Sequence, residues 1–402
     1  MNRINNNRGF SLLWVIGIVT VTSIISAITA GVIVYNNNKL SYDLTYEDLS
    51  KDNDLNEFLT VYAHILSEYY ENVDKSALLD QAIAGMMDYL GDDYSTYLDD
   101  DTTAELFESL AGEYTGIGVS INNTDKSIAK VYDNTPASKA GIQVGDIIIG
   151  FNGTDVTTMS ANELVNMIKS NQDYFTLELQ RGENKISVSL KNETLLTPNV
   201  EYHLIENTKT GYLYMETFSN TLKTQVENAL NDLENQGMTS LIIDLRNNTG
   251  GYLTAATDVA NIFLEKGKRI YSLDYQGEIT NYSDTTKEHK EYPIVVLVNK
   301  NTASASEILA AALKESYGAT IVGTTSFGKG KVQQTMKLED GSMVKYTSAL
   351  WLTPNGTCID KVGITPDYYV ENETVKDENG TVTEYTDSQL NKAIEVLNGI
   401  TN

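Results

Sequence analysis

From about Pro198 onward, apolar strand-like runs alternate with amphipathic helix-like runs, and this order restricts the fold more than any other feature of the chain. "TGYLYMETF" leads to "TLKTQVENALNDLENQG". "SLIIDL" leads through "RNNTGG" to "YLTAATDVANIFLEKG", and "PIVVLVN" leads through "TASAS" to "EILAAALKESYG" before "TIVGTT" closes the series. Such units build a sheet covered by helices, with the loops at the carboxyl ends of the strands facing a common crevice. The expectation is an α/β core whose chemistry sits on strand-to-helix loops.

Two of those loops suit acyl-transfer chemistry. In "RNNTGGYL" (Arg246 to Leu253), Gly250 and Gly251 leave backbone N–H groups unobstructed, as an oxyanion site requires. In "NTASASE" the small residues let a hydroxyl stand exposed at a helix start, with the following amide aimed at whatever it attacks. Taken singly, each loop also reads as an ordinary tight turn or N-cap. A serine nucleophile needs a base, and His64, His203 and His289 adjoin no such motif. The remaining candidate is a lysine. "TTSFGKGKVQQTM" places Lys329 between Gly328 and Gly330, with Lys331 as a competitor outside that bracket. A lysine base must be unprotonated, which calls for an apolar pocket; Phe327 and Val332 are expected to line it, and Gln333 to orient the amine.

Ahead of this core, Glu113 to about Leu190 consists of short β-like runs interrupted by one helix, "SANELVNMIKS", with Ser160 and Glu163 forming a capping box. Phe58 to Tyr89 has helical apolar spacing and predicts two amphipathic helices whose stripe is core or a dimer surface. Between Arg8 and Lys39 no charge occurs, and "FSLLWVIGIVTVTSIISAITAGVIVY" is long enough to span a bilayer. Arg3 and Arg8 precede it and Asp43, Glu47 and Asp48 follow it, so the short tail is expected in the cytoplasm and the rest outside. A cleaved signal peptide is the alternative, although its apolar region is normally shorter. A net charge of -26 repels phosphate backbones and argues against nucleic-acid binding. The single cysteine, Cys358, excludes an intramolecular disulfide framework and a Cys-based zinc site, and is expected in a core.

Together the motifs "DYSTYLD", "TGIGVSI", "NTPASKAGIQVGDIIIGFNG", "IIDLRNNTGG", "NTASASEILAAAL", "TSFGKGKVQQ" and "GITPDYYV" resemble, in order, those of the carboxy-terminal processing peptidases, or tail-specific proteases. The resemblance covers roughly Glu57 to Val370. It implies a serine endopeptidase with a Ser-Lys dyad: Ser304 as nucleophile, Lys329 as base and Gln333 as its orienting partner, with the amides of Ala305 and Gly250 (rather than Gly251) as oxyanion donors. Thr302 and Thr249 depart from the family pattern without removing a catalytic group, and Ser306 is the rival nucleophile. The β-rich module resembles a PDZ domain, which implies that the loop Tyr114, Gly116, Ile117, Gly118 and Val119 holds a peptide carboxylate.

The expected architecture is therefore an α/β (α+β) protease core with a preceding PDZ domain, an N-terminal helical segment and a single N-terminal transmembrane helix. Its parts are a tail (1–9), membrane helix (10–35), tether (36–56), helical region (57–112), PDZ domain (113–192), protease core (193–375) and C-terminal helical segment (376–402). The expected partners are protein or peptide substrates with apolar C-terminal tails and the membrane, with no nucleic acid, no metal and no organic cofactor. A homodimer is plausible through the N-terminal helices and the closing "DSQLNKAIEVLNGI". An inactive PDZ-containing scaffold that binds protein C-termini is the alternative, which intact Ser304, Lys329 and Gln333 argue against. A phosphate site on "GIGV" or "FGKGK" fails on context, because "GIGV" runs into a strand.

Overall fold

The computed structural model describes residues 51–376 and 382–401. The expected tail and membrane helix lie outside the described residues, as does most of the tether, and no helix among the described residues is long and apolar enough to cross a membrane. The chain divides into two compact units, Met1–Met86 with Tyr275–Glu278, and Met87–Asp274 with Ile279–Asn402.

In the first unit, α1 (Asn53–Glu68) starts inside the stretch expected to be tether, because the Asp52 carboxylate accepts the N–H groups of Asp54 and Leu55. No residue of α1 is buried, and Phe58, Leu59, Val61 and Ile65 are exposed. The second expected helix is α2 (Lys75–Tyr89), begun by Asp74 in the same way, with its last three residues counted in the second unit.

The second unit opens with β1 (Thr96–Leu98) and α3 (Asp100–Ala111). The β-rich module follows: β2 (Glu113–Gly116), β3 (Val119–Ile121), β4 (Ile128–Val131), β5 (Ile147–Phe151), α4 (Ala161–Ser170), β6 (Phe175–Arg181), β7 (Asn184–Leu190) and β8 (Glu193–Leu196). Strands β5, β6 and β7 form an antiparallel sheet, and β6 alternates buried and half-buried residues along its first six positions. The capping box of α4 is present. Ile128, Ile148, Leu164, Phe175, Leu177 and Leu179 fill this module's core, each worth about 1.5–3 kcal/mol of burial. Strand β8, on the core side of the expected boundary at 192/193, pairs back with β2.

The protease core contains β9 (Val200–Leu204), β10 (Thr210–Met215), α5 (Leu222–Asn235), β11 (Ser240–Asp244), α6 (Leu253–Phe263), β12 (Arg269–Tyr275), β13 (Glu278–Ser283), β14 (Ile294–Val298), α7 (Ala305–Ala312), β15 (Thr320–Gly323), β16 (Lys331–Lys337), β17 (Met343–Leu352), β18 (Tyr368–Tyr369) and α8 (Ser388–Thr401). A six-stranded sheet runs β9-β10-β11-β14-β15-β18, parallel from β10 onward. Every residue of β11 and β14 is buried, which is why these strands read as continuous apolar runs rather than alternating ones.

Helix α8 lays Ala393 and Leu397 against Ile242, Val295, Leu297 and Val322 of this sheet. The apolar face expected to serve a dimer is thus spent inside the fold. Arg246 pins the arrangement, bonding Asp244 at the end of β11 and Asp387 just before α8. Cys358, expected in a core, is exposed. A second, antiparallel sheet runs β1-β17-β12-β13 with β16 on β17. It includes the strand that begins two residues after Lys329, so Lys329 and Ser304 are carried by different sheets.

Candidate active site

The loops after β11 and β14 are tied together by Thr302, whose buried hydroxyl donates to the Leu245 carbonyl at 2.8 Å and accepts the Asn299 N–H at 2.9 Å. Two residues later Ser304 takes φ 58° and ψ -119°, a backbone state that L-residues rarely adopt and that persists only where its surroundings impose it. Ser304 is half-buried and its hydroxyl makes no capping bond to α7. Ser306, the rival nucleophile, is fully buried, and its hydroxyl donates to the Asn248 carbonyl at 2.9 Å. Geometry therefore separates the two serines.

One carboxylate organises the surroundings. Glu307 is fully buried, and its Oε2 accepts the N–H of Ser304 and the N–H of Lys329, each at 2.9 Å. Its Oε1 accepts the Gly328 N–H at 2.7 Å and the Ser326 hydroxyl at 2.5 Å. A single oxygen thus fixes the main chain of both Ser304 and Lys329. Burial pushes the Glu307 carboxyl above its ordinary value, against the pull of those four donors. Four accepted bonds and none donated is the pattern of an ionised carboxylate.

The Lys329 amine lies 4.8 Å from the centre of the Tyr94 ring. Its pKa is held below the ordinary lysine value, first by burial and then by the charge of Lys345, while Glu307 and Asp92 oppose the shift. Phe327 does not wall the amine as expected; it is 54% exposed, because its N–H bonds the Thr302 carbonyl at a turn that leaves the ring outward. Lys331 is instead ion-paired to Asp92 at 2.7 Å, which keeps it protonated. Gln333 bonds Thr347 Oγ1 at 3.4 Å through its Nε2 and makes no bond to Lys329 among the described residues.

The Gly250 backbone packs closely against Ser304. A Cβ on Gly250 would lie 2.9 Å from Ser304 Cβ and 3.0 Å from the Ala305 nitrogen, so only glycine, here at φ 106°, allows this approach. The Gly250 N–H, expected as an oxyanion donor, is occupied by Asn248 Oδ1 at 2.9 Å. Gly251 is exposed, and neither its N–H nor that of Ala305 has an acceptor among the described residues.

Comparison with known proteins meets this geometry. Residues 209–370 match the model of peptidase family S41, residues 127–181 a PDZ domain, and residues 27–102 the N-terminal domain of the activating protease CtpB. The carboxy-terminal processing protease CtpA of Bacillus subtilis (strain 168) is 37% identical over 359 residues, 88% of this chain and 76% of that one. The chain belongs to peptidase family S41. It is an enzyme of the carboxy-terminal processing serine protease class, with a PDZ domain attached to a mixed α/β core. A probable CtpA-like serine protease of Staphylococcus aureus (strain COL) is 33% identical over 375 residues, covering 92% of this chain and 74% of its own. The solved photosystem II D1 C-terminal processing protease is 28% identical, with a TM-score of 0.48, covering 83% of this chain and 91% of that one.

In this S41 chain the expected carboxylate loop of the PDZ domain is split by its surroundings. Tyr114 and Gly116 are spent in the ribbon with Leu195 and Glu193. Ile117 is buried in the module core, with its carbonyl accepting the Ala137 N–H, and the Gly118 carbonyl accepts the Tyr132 N–H. The N–H groups of Ile117 and Gly118 have no acceptor among the described residues, and Val119 opens β3. His64 and His203 are exposed, and His289 pairs with Glu291. Three residues of the site escaped the sequence reading: the full role of Glu307, and those of Asp92 and Tyr94. For Glu307 the signal was a carboxylate in the first turn of a wholly buried helix; Tyr94 lies inside the "DYSTYLD" motif and Asp92 just ahead of it, but nothing local gives either one its role.

Proposed function

We propose that the chain is a membrane-anchored, extracytoplasmic endopeptidase in which Ser304 and Lys329 form the catalytic dyad. Neutral Lys329 takes the Ser304 proton, the alkoxide attacks a peptide carbonyl, the tetrahedral intermediate expels the amine as Lys329 returns the proton to it, and water then hydrolyses the acyl-enzyme to free Ser304. The observation that carries this reading is the shared acceptor, Glu307 Oε2, which fixes the backbone of both residues. The depressed pKa of Lys329 supports its role as base. The amides of Ala305 and Gly251 are the better-placed oxyanion donors, since that of Gly250 is already bonded. Gln333, whose Nε2 bonds Thr347, acts by orienting the lysine.

Substrates are polypeptides with apolar C-terminal tails, their carboxylates received by the free N–H groups of Ile117 and Gly118 and their backbones added alongside β3. The charge-free segment 10–35 supports the anchor and the outside location. The unburied apolar residues of α1 support a homodimer through the N-terminal helices rather than through α8. The test is digestion of an unfolded, apolar-tailed protein by the full chain and by its Ser304→Ala variant, followed by mass spectrometry. Cleavage by the parent alone is the expected result, and equal cleavage by both overturns the nucleophile assignment.

A further inference from the structure

The turn between α2 and β1 lies outside the α/β core in sequence, yet it touches the base side of the site. Asp92, just ahead of the "DYSTYLD" motif, has a side chain only 12% exposed. Its Oδ1 pairs with Lys331 Nζ at 2.7 Å, and its Oδ2 accepts the hydroxyls of Thr347 at 2.5 Å and Ser95 at 2.6 Å. The Ser95 oxygen in turn accepts the Thr347 N–H at 3.0 Å. Hydrogen bonds to Lys331, Ser95 and Thr347 outweigh the burial that would raise this carboxyl, and hold it ionised far below the usual carboxylate range.

An ionised carboxylate only accepts, so the one proton of the Thr347 hydroxyl is committed to Asp92. The Thr347 oxygen can then only accept from its other neighbour, Gln333, which must offer its NH2 group; the 3.4 Å contact is of that kind. The Gln333 carbonyl oxygen is left with no partner among the described residues, as an acceptor for an amine. We propose that Asp92 is a positioning residue of the reaction, acting through Thr347 to fix the polarity of the Gln333 amide so that its carbonyl end is offered to Lys329. The same carboxylate holds Lys331 in an ion pair, and the same turn supplies Tyr94, whose ring lies 4.8 Å from Lys329 Nζ and 5.7 Å from Lys331 Nζ. This inference rests on the Ser304–Lys329 reading.

The experiment uses the full chain with Asp92→Asn, Thr347→Val, Thr347→Ser, Ser304→Ala and Lys329→Ala, measuring kcat, KM and the pH profile of kcat/KM. Asparagine can turn either end toward Thr347, and valine offers neither acceptor nor donor, so both substitutions release the amide. Both are expected to lower kcat about 10- to 100-fold with KM within about twofold, as for a misplaced catalytic group. Thr347→Ser keeps the hydroxyl and is expected to stay within about threefold of the parent. Lys329 faces Tyr94, Glu307, Lys345 and Asp92. Loss of the Asp92 charge should therefore move the acid limb to lower pH, whereas Thr347→Val changes no charge and should leave it in place. A Thr347→Val enzyme with parental kcat, or equal losses in the valine and serine variants, overturns the relay. Parental rates in Ser304→Ala or Lys329→Ala overturn the dyad itself, and are distinguished by appearing in those two variants.

Discussion

Replacing Glu307 by Gln tests the centre of the site with almost no change of shape. The carboxylate accepts four bonds, two on each oxygen, from the backbone of Ser304, Lys329 and Gly328 and from the Ser326 hydroxyl. A glutamine can keep its oxygen toward Ser304 and Lys329 and turn its NH2 to Ser326, whose hydroxyl rotates to accept. The Gly328 N–H is then stranded, and the Ser326 proton, on an oxygen that already accepts the Ile364 N–H, loses its acceptor, at a cost of about 1–3 kcal/mol each. Together these lower Tm by roughly 2–7 °C in a chain of this size. Burial raises the folded-state pKa of Glu307, so the wild-type stability tied to this group is fully present below the unfolded pKa and is lost as pH rises through the folded one. Glutamine carries no such dependence, so the Tm deficit of the variant is largest in acid and shrinks toward neutral pH. The lost charge was also raising the pKa of Lys329, so the acid limb of kcat/KM moves to lower pH. Thermal unfolding across pH and the kcat/KM profile read both effects. A deficit that grows with pH, or an acid limb that moves upward, refutes the reasoning.

Lys329→Arg places a permanent cation at the base position and should abolish cleavage, by at least about 10³-fold in kcat/KM. In the parent, kcat/KM should rise with pH through an apparent pKa below that of free lysine, which the same profile reads. Gly250→Ala forces a Cβ to within 2.9 Å of Ser304 Cβ and the Ala303 carbonyl at φ 106°; the strain of about 1–3 kcal/mol should appear as a loss of kcat in steady-state assays. Arg246→Lys keeps the charge but cannot reproduce the paired bonds to Asp244 and Asp387, and should cost about 1.5–3 kcal/mol in chemical denaturation.

The alternation of strands and helices was legible because both faces of β11 and β14 are buried, which writes each strand as an unbroken apolar run between turn signals. The meeting of the Ser304 and Lys329 loops was legible for a related reason. Small residues mark the places where backbone must approach backbone, and glycines bracket Lys329 because a Cβ on Gly328 or Gly330 would lie within 3 Å of the chain at Val362, Gly363 or Asp360. The second sheet was not legible, since β1 pairs with β17 across some 250 residues and no local pattern encodes such a register. Asp92 and Tyr94 were lost with it. The closing helix misled because an amphipathic stripe announces that something will cover it without saying whether a sheet of the same chain or a second copy does so.

The proposed base, Lys329, has to lose its proton although the charges of Glu307 and Asp92 favour its protonated form. Two features weaken that pull. Burial is the largest influence on Lys329, and Lys345 adds to it. Each carboxylate is also already engaged, Glu307 by four donors and Asp92 by Lys331, Ser95 and Thr347, and neither forms an ion pair with Lys329 among the described residues. Burial, together with the engagement of both carboxylates, therefore favours the neutral amine. Gln333→Glu supplies a further carboxylate in nearly the same volume. The new acid would meet a Thr347 oxygen whose proton is committed to Asp92, and would turn to Lys329 for a partner. The lysine pKa should rise and the acid limb of kcat/KM should move to higher pH, opposite in sign to the shift in Glu307→Gln. Two substitutions of equal size that exchange the same two side-chain types would thus drive the profile in opposite directions, which a role in packing alone does not predict.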